Sequence, residues 1–231
     1  MDLGNSPAIE LDLDAADRPL VAALDSGPVT IWRLTTAGAL DPTWGGGDGE
    51  VETAYAPQYL FQVLAEPAGG RLFLLGRTDS PEPKAEIVAV LPNGGWDPAF
   101  GAAGTVALDV WGSRSSGARF ALQSDGKLVG VGRVTVQLGT SGTDFLLVRL
   151  HPNGELDPSF HGNGVRWVAF DVETGGSDVG LALAFPGGKL VAVGIARDED
   201  LLGRWATLRT QNALIFADDF ERGSSAGWAG F

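Results

Sequence analysis

The chain has 231 residues, 44% of them apolar and 19% charged, enough apolar material for a packed core and too little charge for a disordered or coiled-coil chain. Its formal net charge is −13, and its 16 basic residues are scattered singly, which excludes a phosphate-backbone or anionic-membrane surface as partner. There is no cysteine, so neither a disulfide framework nor a thiolate metal site is available.

From the N-terminus, "MDLGNSPAIELDLD" has no basic segment and no apolar stretch of signal-peptide length, and no run in the chain reaches the length of a membrane span. "AIELDLD" reads as a strand with Glu10, Asp12 and Asp14 on a solvated face, and Leu11 and Leu13 on a buried one. An EF-hand loop fails here because Asp17 stands where its glycine should be, so weak calcium binding is the most these carboxylates offer. Next come "DRPLVAAL" and "VTIWRL", two apolar strands, and then "TTAGALDPTW". "GGGDGE" at 45–50 reads as a loop.

The same order then recurs. "GRLFLLG" and "AEIVAVL" precede "LPNGGWDPAF"; "GKLVGVG" and "DFLLVRL" precede "HPNGELDPSF"; "GKLVAVG" and "RWATLRT" close the series without an Asp-Pro turn. The turn aspartates Asp41, Asp97 and Asp157 lie 56 and 60 residues apart. The basic residues opening the second phrase are Arg18, Arg71, Lys127 and Lys189, spaced 53, 56 and 62. Repetition at this period is the signature of a repeat architecture. The third unit reads as four strands, "GARFALQ", "KLVGVG", "TDFLLVRL" and "GVRWVAFD", rich in Val, Leu and aromatics and separated by Gly, Pro or Asn-Gly. Helical periodicity never persists.

The turn phrase has a physical reading. Asn153-Gly154 supplies positive φ, Leu156 points inward, and Asp157-Pro158 begins a second turn whose aspartate bonds amides ahead of it. Phe160 closes the turn against the core, as Phe100 and Trp44 do in the earlier units, and core packing also accounts for Trp96. These six, Asp41, Trp44, Asp97, Phe100, Asp157 and Phe160, are read as structural turn residues.

Four antiparallel strands per unit of about 60 residues predict an all-β fold, a β-propeller or partial propeller of about four four-stranded blades. The approximate repeats are 8–58, 59–117, 118–177 and 178–212, within a repeat region 1–212. Strand counting gives fifteen, with the first blade one strand short, so the unpaired blade edges favour a homodimer. On "ALQSDGKLVGVG" and "DFLLVRLHPNGELDPSFHGNGV" the third unit resembles the delta-60 repeat of bacterial proteins. That resemblance implies a propeller-like architecture and an extracellular or cell-surface setting, and carries no catalytic residues to transfer. The last residues, 213–231, form a separate tail in which Asp218, Phe220, Glu221, Gly223 and Trp228 resemble the C-terminal tail of exported bacterial proteins.

Catalytic signals are thin. "GSSAG" around Ser225 matches a nucleophile elbow but has no helix to follow it. His151 and His161 lack repeat counterparts and a third zinc ligand. "DEDLLG" at 198–203 is a loop. The sequence therefore points to a non-enzymatic module for protein interaction or structure, with no catalytic residue, cofactor or metal ligand assigned. The alternative is a propeller hydrolase or carbohydrate-binding domain acting at the channel mouth.

Overall fold

The computed structural model describes residues 8–67, 70–78, 84–108, 119–134, 142–170, 177–197, 203–211 and 214–219. The chain divides into two compact units, one of residues 1–109 with 152–155, the other of residues 110–151 with 156–231.

The first unit contains two four-stranded antiparallel meanders. One is β1 (Ala8–Leu13), β2 (Pro19–Leu24), β3 (Thr30–Arg33) and β4 (Glu50–Glu52). The other is β5 (Tyr59–Ala65), β6 (Leu72–Thr78), β7 (Lys84–Val90) and β8 (Thr105–Ala107). The second unit repeats this with β9 (Arg119–Leu122), β10 (Leu128–Val134), β11 (Asp144–Leu150) and β12 (Val165–Val168). Its other sheet is β13 (Ser177–Ala184), β14 (Val191–Arg197), β15 (Gly203–Gln211) and β16 (Leu214–Asp219).

The expectation of a first sheet one strand short is corrected. β1 pairs with β2 over its whole length, from Ala8↔Leu24 to Leu13↔Pro19, so the first sheet has four strands. The sixteenth strand is β16, in the segment that the sequence sets apart as a tail; it follows β15 as a direct hairpin, with Gln211 opposite Leu214.

Register places the repeat on a common frame. Leu20 pairs with Arg33, Phe73 with Ala89, Val129 with Arg149 and Val191 with Arg209. Each of these second-strand residues follows its basic residue by two positions, so the second phrase is one structural position repeated four times. In the first unit Leu20, Ala22, Leu24 and Ile31 pack on Val63, Leu72, Leu74 and Val88 of the neighbouring sheet. In the second, Val129, Val131, Phe145 and Leu147 pack on Ala192 and Leu208. Full burial of a ring such as Phe145 stabilises by roughly 2–3 kcal/mol.

The opposite face of the first sheet is exposed along β1, though Val21 and Ala23 of β2 on that face are buried, and the reading of β1 is therefore inverted. Ile9, Leu11 and Leu13 are 47%, 65% and 51% exposed, whereas Glu10, Asp12 and Asp14 are half-buried. The cause is that the acidic face of β1 meets the next sheet: Asp12 Oδ2 accepts a hydrogen bond from the Ala65 amide of β5 at 2.8 Å. Asp178 on β13 has a comparable role, accepting from the Phe170 amide at 2.8 Å.

Candidate functional site

The three Asp-Pro turns are built alike. The amides of Asp41, Asp97 and Asp157 donate back to the carbonyls of Arg33, Ala89 and Arg149, each at 2.9 Å. Each aspartate uses one oxygen forwards, Oδ1 accepting from the amide two residues on: Thr43 at 2.9 Å, Ala99 at 3.0 Å and Ser159 at 2.9 Å. That is an Asx turn, with proline holding φ at the intervening position.

The second oxygen takes a cation. Arg18 Nη1 and Arg33 Nε reach Asp41 Oδ2 at 3.0 and 2.8 Å. Arg71 Nη1 reaches Asp97 Oδ2 at 2.9 Å. Lys127 Nζ and Arg149 Nε reach Asp157 Oδ2 at 3.3 and 2.8 Å. The basic residue of the second phrase thus pairs with the turn aspartate of its own sheet. The sequence shows the two periodicities side by side, and their nearly equal period is the signal that the two residues meet.

These surroundings set the charge. The hydroxyl and amide of Thr43, then Arg33, hold the Asp41 carboxyl at about 2. Burial would push Asp157 up, but Ser159, Lys127 and Arg149 outweigh it and hold the group well below the carboxylate range. Asp97 is lowered by the Ala99 amide and by Arg71. All three stay ionised at neutral pH.

The ring that ends each turn is buried: Trp44 is 4% exposed, Phe100 0% and Phe160 7%. Arg33 lies 4.5 Å over the Trp44 ring and Arg149 4.9 Å over that of Phe160. Leu156 does not point inward. It is exposed, as are Leu40 and Trp96, and all three occupy one repeated position, bridged by backbone to the third strand or its edge. Core packing therefore accounts for Trp44 but not for Trp96.

His151 Nε2 lies 3.5 Å from Asp157 Oδ1, while His161, at φ 52°, stands edge-on to Phe160. Burial, then the nearby Arg166 and Arg149, push His161 below its ordinary value, so it is neutral at pH 7. The two histidines thus serve different neighbours. Among the described residues no three His, Asp or Glu side chains gather as a metal site. In "GGGDGE" Asp48 accepts from the Glu50 amide and Glu50 from the Trp32 indole at 2.9 Å. Asp218 lies in β16 opposite Thr207. Phe220, Glu221, Gly223, Ser225 and Trp228 lie outside the described residues, as do residues 198–202 of "DEDLLG".

Each unit has a cavity between its two sheets, beside the ring of the Asp-Pro turn. That of the first, about 270 Å³, is lined by Arg18, Arg33, Trp44, Glu66 and Arg71 among others. That of the second, about 260 Å³, is lined by Gln123, Arg149, His161, Phe185 and Lys189 among others.

A family model described as "Domain of unknown function (DUF5122) beta-propeller" matches residues 123–160, the third unit. Among solved structures, a GH43_12 protein retrieved from a capybara gut metagenome aligns over 94% of this chain with a TM-score of 0.51 and 8% identity. The fold is a β-propeller fold. Two further structures align more loosely with these blades. The endo-arabinase of Bacteroides thetaiotaomicron covers 91% of the chain with a TM-score of 0.49 and 10% identity. The Bacteroides ovatus protein "Xyloglucan PUL GH43B" covers 94% with 0.48 and 12%. The chain spans 78% of the arabinase but only 43% and 41% of the two GH43 proteins. No curated protein matches the sequence. Among the described residues no helix is long and apolar enough to cross a membrane.

Proposed function

We propose that this chain is a carbohydrate-directed β-propeller module of an exported or cell-surface bacterial protein, and that it binds a glycan rather than cleaving one. The likeness that carries the carbohydrate half is the propeller fold shared with a GH43_12 protein. What supports binding over cleavage is the use made of the recurring carboxylates. Asp41, Asp97 and Asp157 are consumed by turn amides and by Arg18, Arg71 and Lys127 of the same blades. A glycosidase needs a pair of carboxyl groups facing the scissile bond instead. The third blade fits the delta-60 pattern best, and the setting which that resemblance implies is the ground for placing the module outside the cell.

The second reading is hydrolysis, favoured by the same propeller likeness to a GH43_12 protein. One experiment separates the readings. The purified chain is run by affinity electrophoresis through arabinan, xyloglucan, xylan and polygalacturonate, and the same polymers are assayed for reducing-end release. Retardation without release is the expected result. Release would establish hydrolysis, and neither effect would overturn the carbohydrate reading and leave the interaction-module reading. As a protein partner we propose a second copy of the chain, meeting it through the apolar sheet faces that the first and fourth blades leave open.

A further inference from the structure

In three blades the cation that opens the second strand has an aspartate from its own turn: Arg18 has Asp41, Arg71 has Asp97 and Lys127 has Asp157. Lys189 holds that position in the fourth blade, two residues before Val191, which pairs with Arg209 as Val129 does with Arg149. Eight residues separate Arg33 from Asp41 and Arg149 from Asp157, and eight residues after Arg209 stands Ala217, within β16. The direct β15–β16 hairpin has removed the turn and its carboxylate. Among the described residues Lys189 has no ion-pair partner.

Lys189 borders the second unit's cavity, whose described lining contains Arg149 and His161 beside it and no carboxylate. This is unusual in a chain of formal net charge −13. The matching cavity of the first unit shows the contrast: its lining includes Asp14 and Glu66, and Arg18, Arg33 and Arg71 are all ion-paired, whereas in the second Arg149 is held by Asp157, His161 is neutral, and Lys189 is the lining cation with no ion-pair partner among the described residues. Two further features define what the second cavity accepts. Gln123 lines this cavity and its Oε1 is buried without a hydrogen-bond partner among the described residues, so that, turned toward the cavity, it would accept from a donor such as a hydroxyl. Phe185, partly buried against the unit's core, supplies an apolar wall. A volume of about 260 Å³ holds a ligand of single-sugar size.

We infer that this cavity binds a hexuronate, the sugar carboxylate replacing the missing turn aspartate at Lys189, a ring hydroxyl donating to Gln123 Oε1, and a ring face lying on Phe185. The inference rests on the carbohydrate-directed reading and names its ligand class.

The test is titration of the isotope-labelled full chain, followed by amide chemical shifts, with galacturonate, glucuronate, glucose, galactose and acetate. A galacturonate trimer separates a free sugar from a polymer end. Both uronates are expected to shift the amides around Lys189, His161 and Gln123, and the neutral sugars and acetate to leave them in place. Lys189→Ala, at an exposed position, is expected to keep the melting temperature and weaken uronate binding about tenfold or more, the scale of one lost charge-assisted contact. Gln123→Leu is expected to weaken it while leaving acetate without effect. Equal shifts from acetate would reduce the cavity to a generic anion site and overturn the hexuronate assignment, as would unchanged uronate affinity in Lys189→Ala. Neutral glycans binding at other residues would keep the carbohydrate reading while this inference fails. No saccharide bound anywhere would remove both.

Discussion

At the scale of single residues, the turn aspartates decide how this protein answers to acid and to substitution. Asp157 is 1% exposed and accepts from Ser159, Lys127 and Arg149 together. Asp157→Ala would leave two half-buried cations facing each other, with only the exposed Asp125, 3.3 Å from Lys127 Nζ, as a counter-charge. Removing one partner of such a group is costly, and a loss of about 2–4 kcal/mol is expected, read as a lower urea midpoint. Asp97→Ala should cost less, because Arg71 keeps Glu66 at 2.6 Å. Equal losses in the two variants would contradict this ranking. The pH response follows from the lowered carboxyls. A group whose folded pKa lies below the unfolded value of roughly 3.9 lends stability above that value and loses it as pH falls. For Asp41, at about 2 in the fold, the window runs from pH about 4 down to about 2. His161, also lowered, acts in the same direction: the unfolded chain takes up its proton first, so stability declines as pH drops through the ordinary histidine range of roughly 6.5. Melting temperature should therefore fall in a shallow step near pH 6 and steeply below pH 4. A flat curve between pH 7 and 3 would refute the ion-pair account.

At the scale of the element, close packing of the blades rests on glycine where a strand faces a neighbour's ring. Gly180 of β13 and Gly194 of β14 both lie against Phe145 of β11, and a Cβ on Gly180 would approach the Phe145 ring to 2.9 Å and overlap Val131. Gly180→Val should therefore overpack this junction by about 1–3 kcal/mol, while Gly187→Ala, with open space around it but a φ of 57°, tests only backbone strain. Thermal melts of the two variants separate the effects, and an unperturbed Gly180→Val would show that the junction yields. The strands themselves are legible from period and glycine punctuation, and the Asx turns from Asp-Pro after Asn-Gly. Other features are not. A period of two says that Leu11 and Asp12 face opposite ways, but not which side has a neighbour, so residue type alone orients β1 the wrong way round. Leu156 looks like a core residue by type, yet it is exposed while Leu150, to which its backbone bridges, is buried. The Lys127–Asp157 pair spans thirty residues and joins two turns at one end of a sheet, a closeness that only the register of β10 against β11 creates. β16 is hidden in the sequence because the direct hairpin lacks the Asp-Pro phrase that announces a fourth strand in the other blades.

For the whole molecule, the repeat makes a definite statement about its two open faces. The face of the first sheet bearing Leu11, Val21 and Trp32 is, by register, equivalent to the face of the second sheet that bears Leu72 and Leu74 and packs on the first. The face of the fourth sheet bearing Val193, Ile195 and Trp205 is equivalent to the face bearing Ala22 and Leu24, which packs on the second. Trp205 is 63% exposed and Leu11 65%. Each open face therefore has the pattern of the surface that the other needs, so the first sheet of one copy can meet the fourth sheet of a second, head to tail. This is a different association from the pairing of strand edges: it buries side chains, and it leaves the backbone of β4 and β16 uninvolved. Light scattering on the eluting 24.0 kDa chain should give twice that mass. Leu11→Lys and Trp205→Ser should each return it to a monomer of unchanged far-ultraviolet circular dichroism, because both positions lie outside the cores of their units. Mixing the two single variants is the discriminating step. A head-to-tail pair retains one intact junction in the mixture, Leu11 of one copy against Trp205 of the other, so partial dimer should reappear, whereas strand-edge pairing would be indifferent to both substitutions. A monomeric parent chain would instead assign the two faces to blades of another polypeptide.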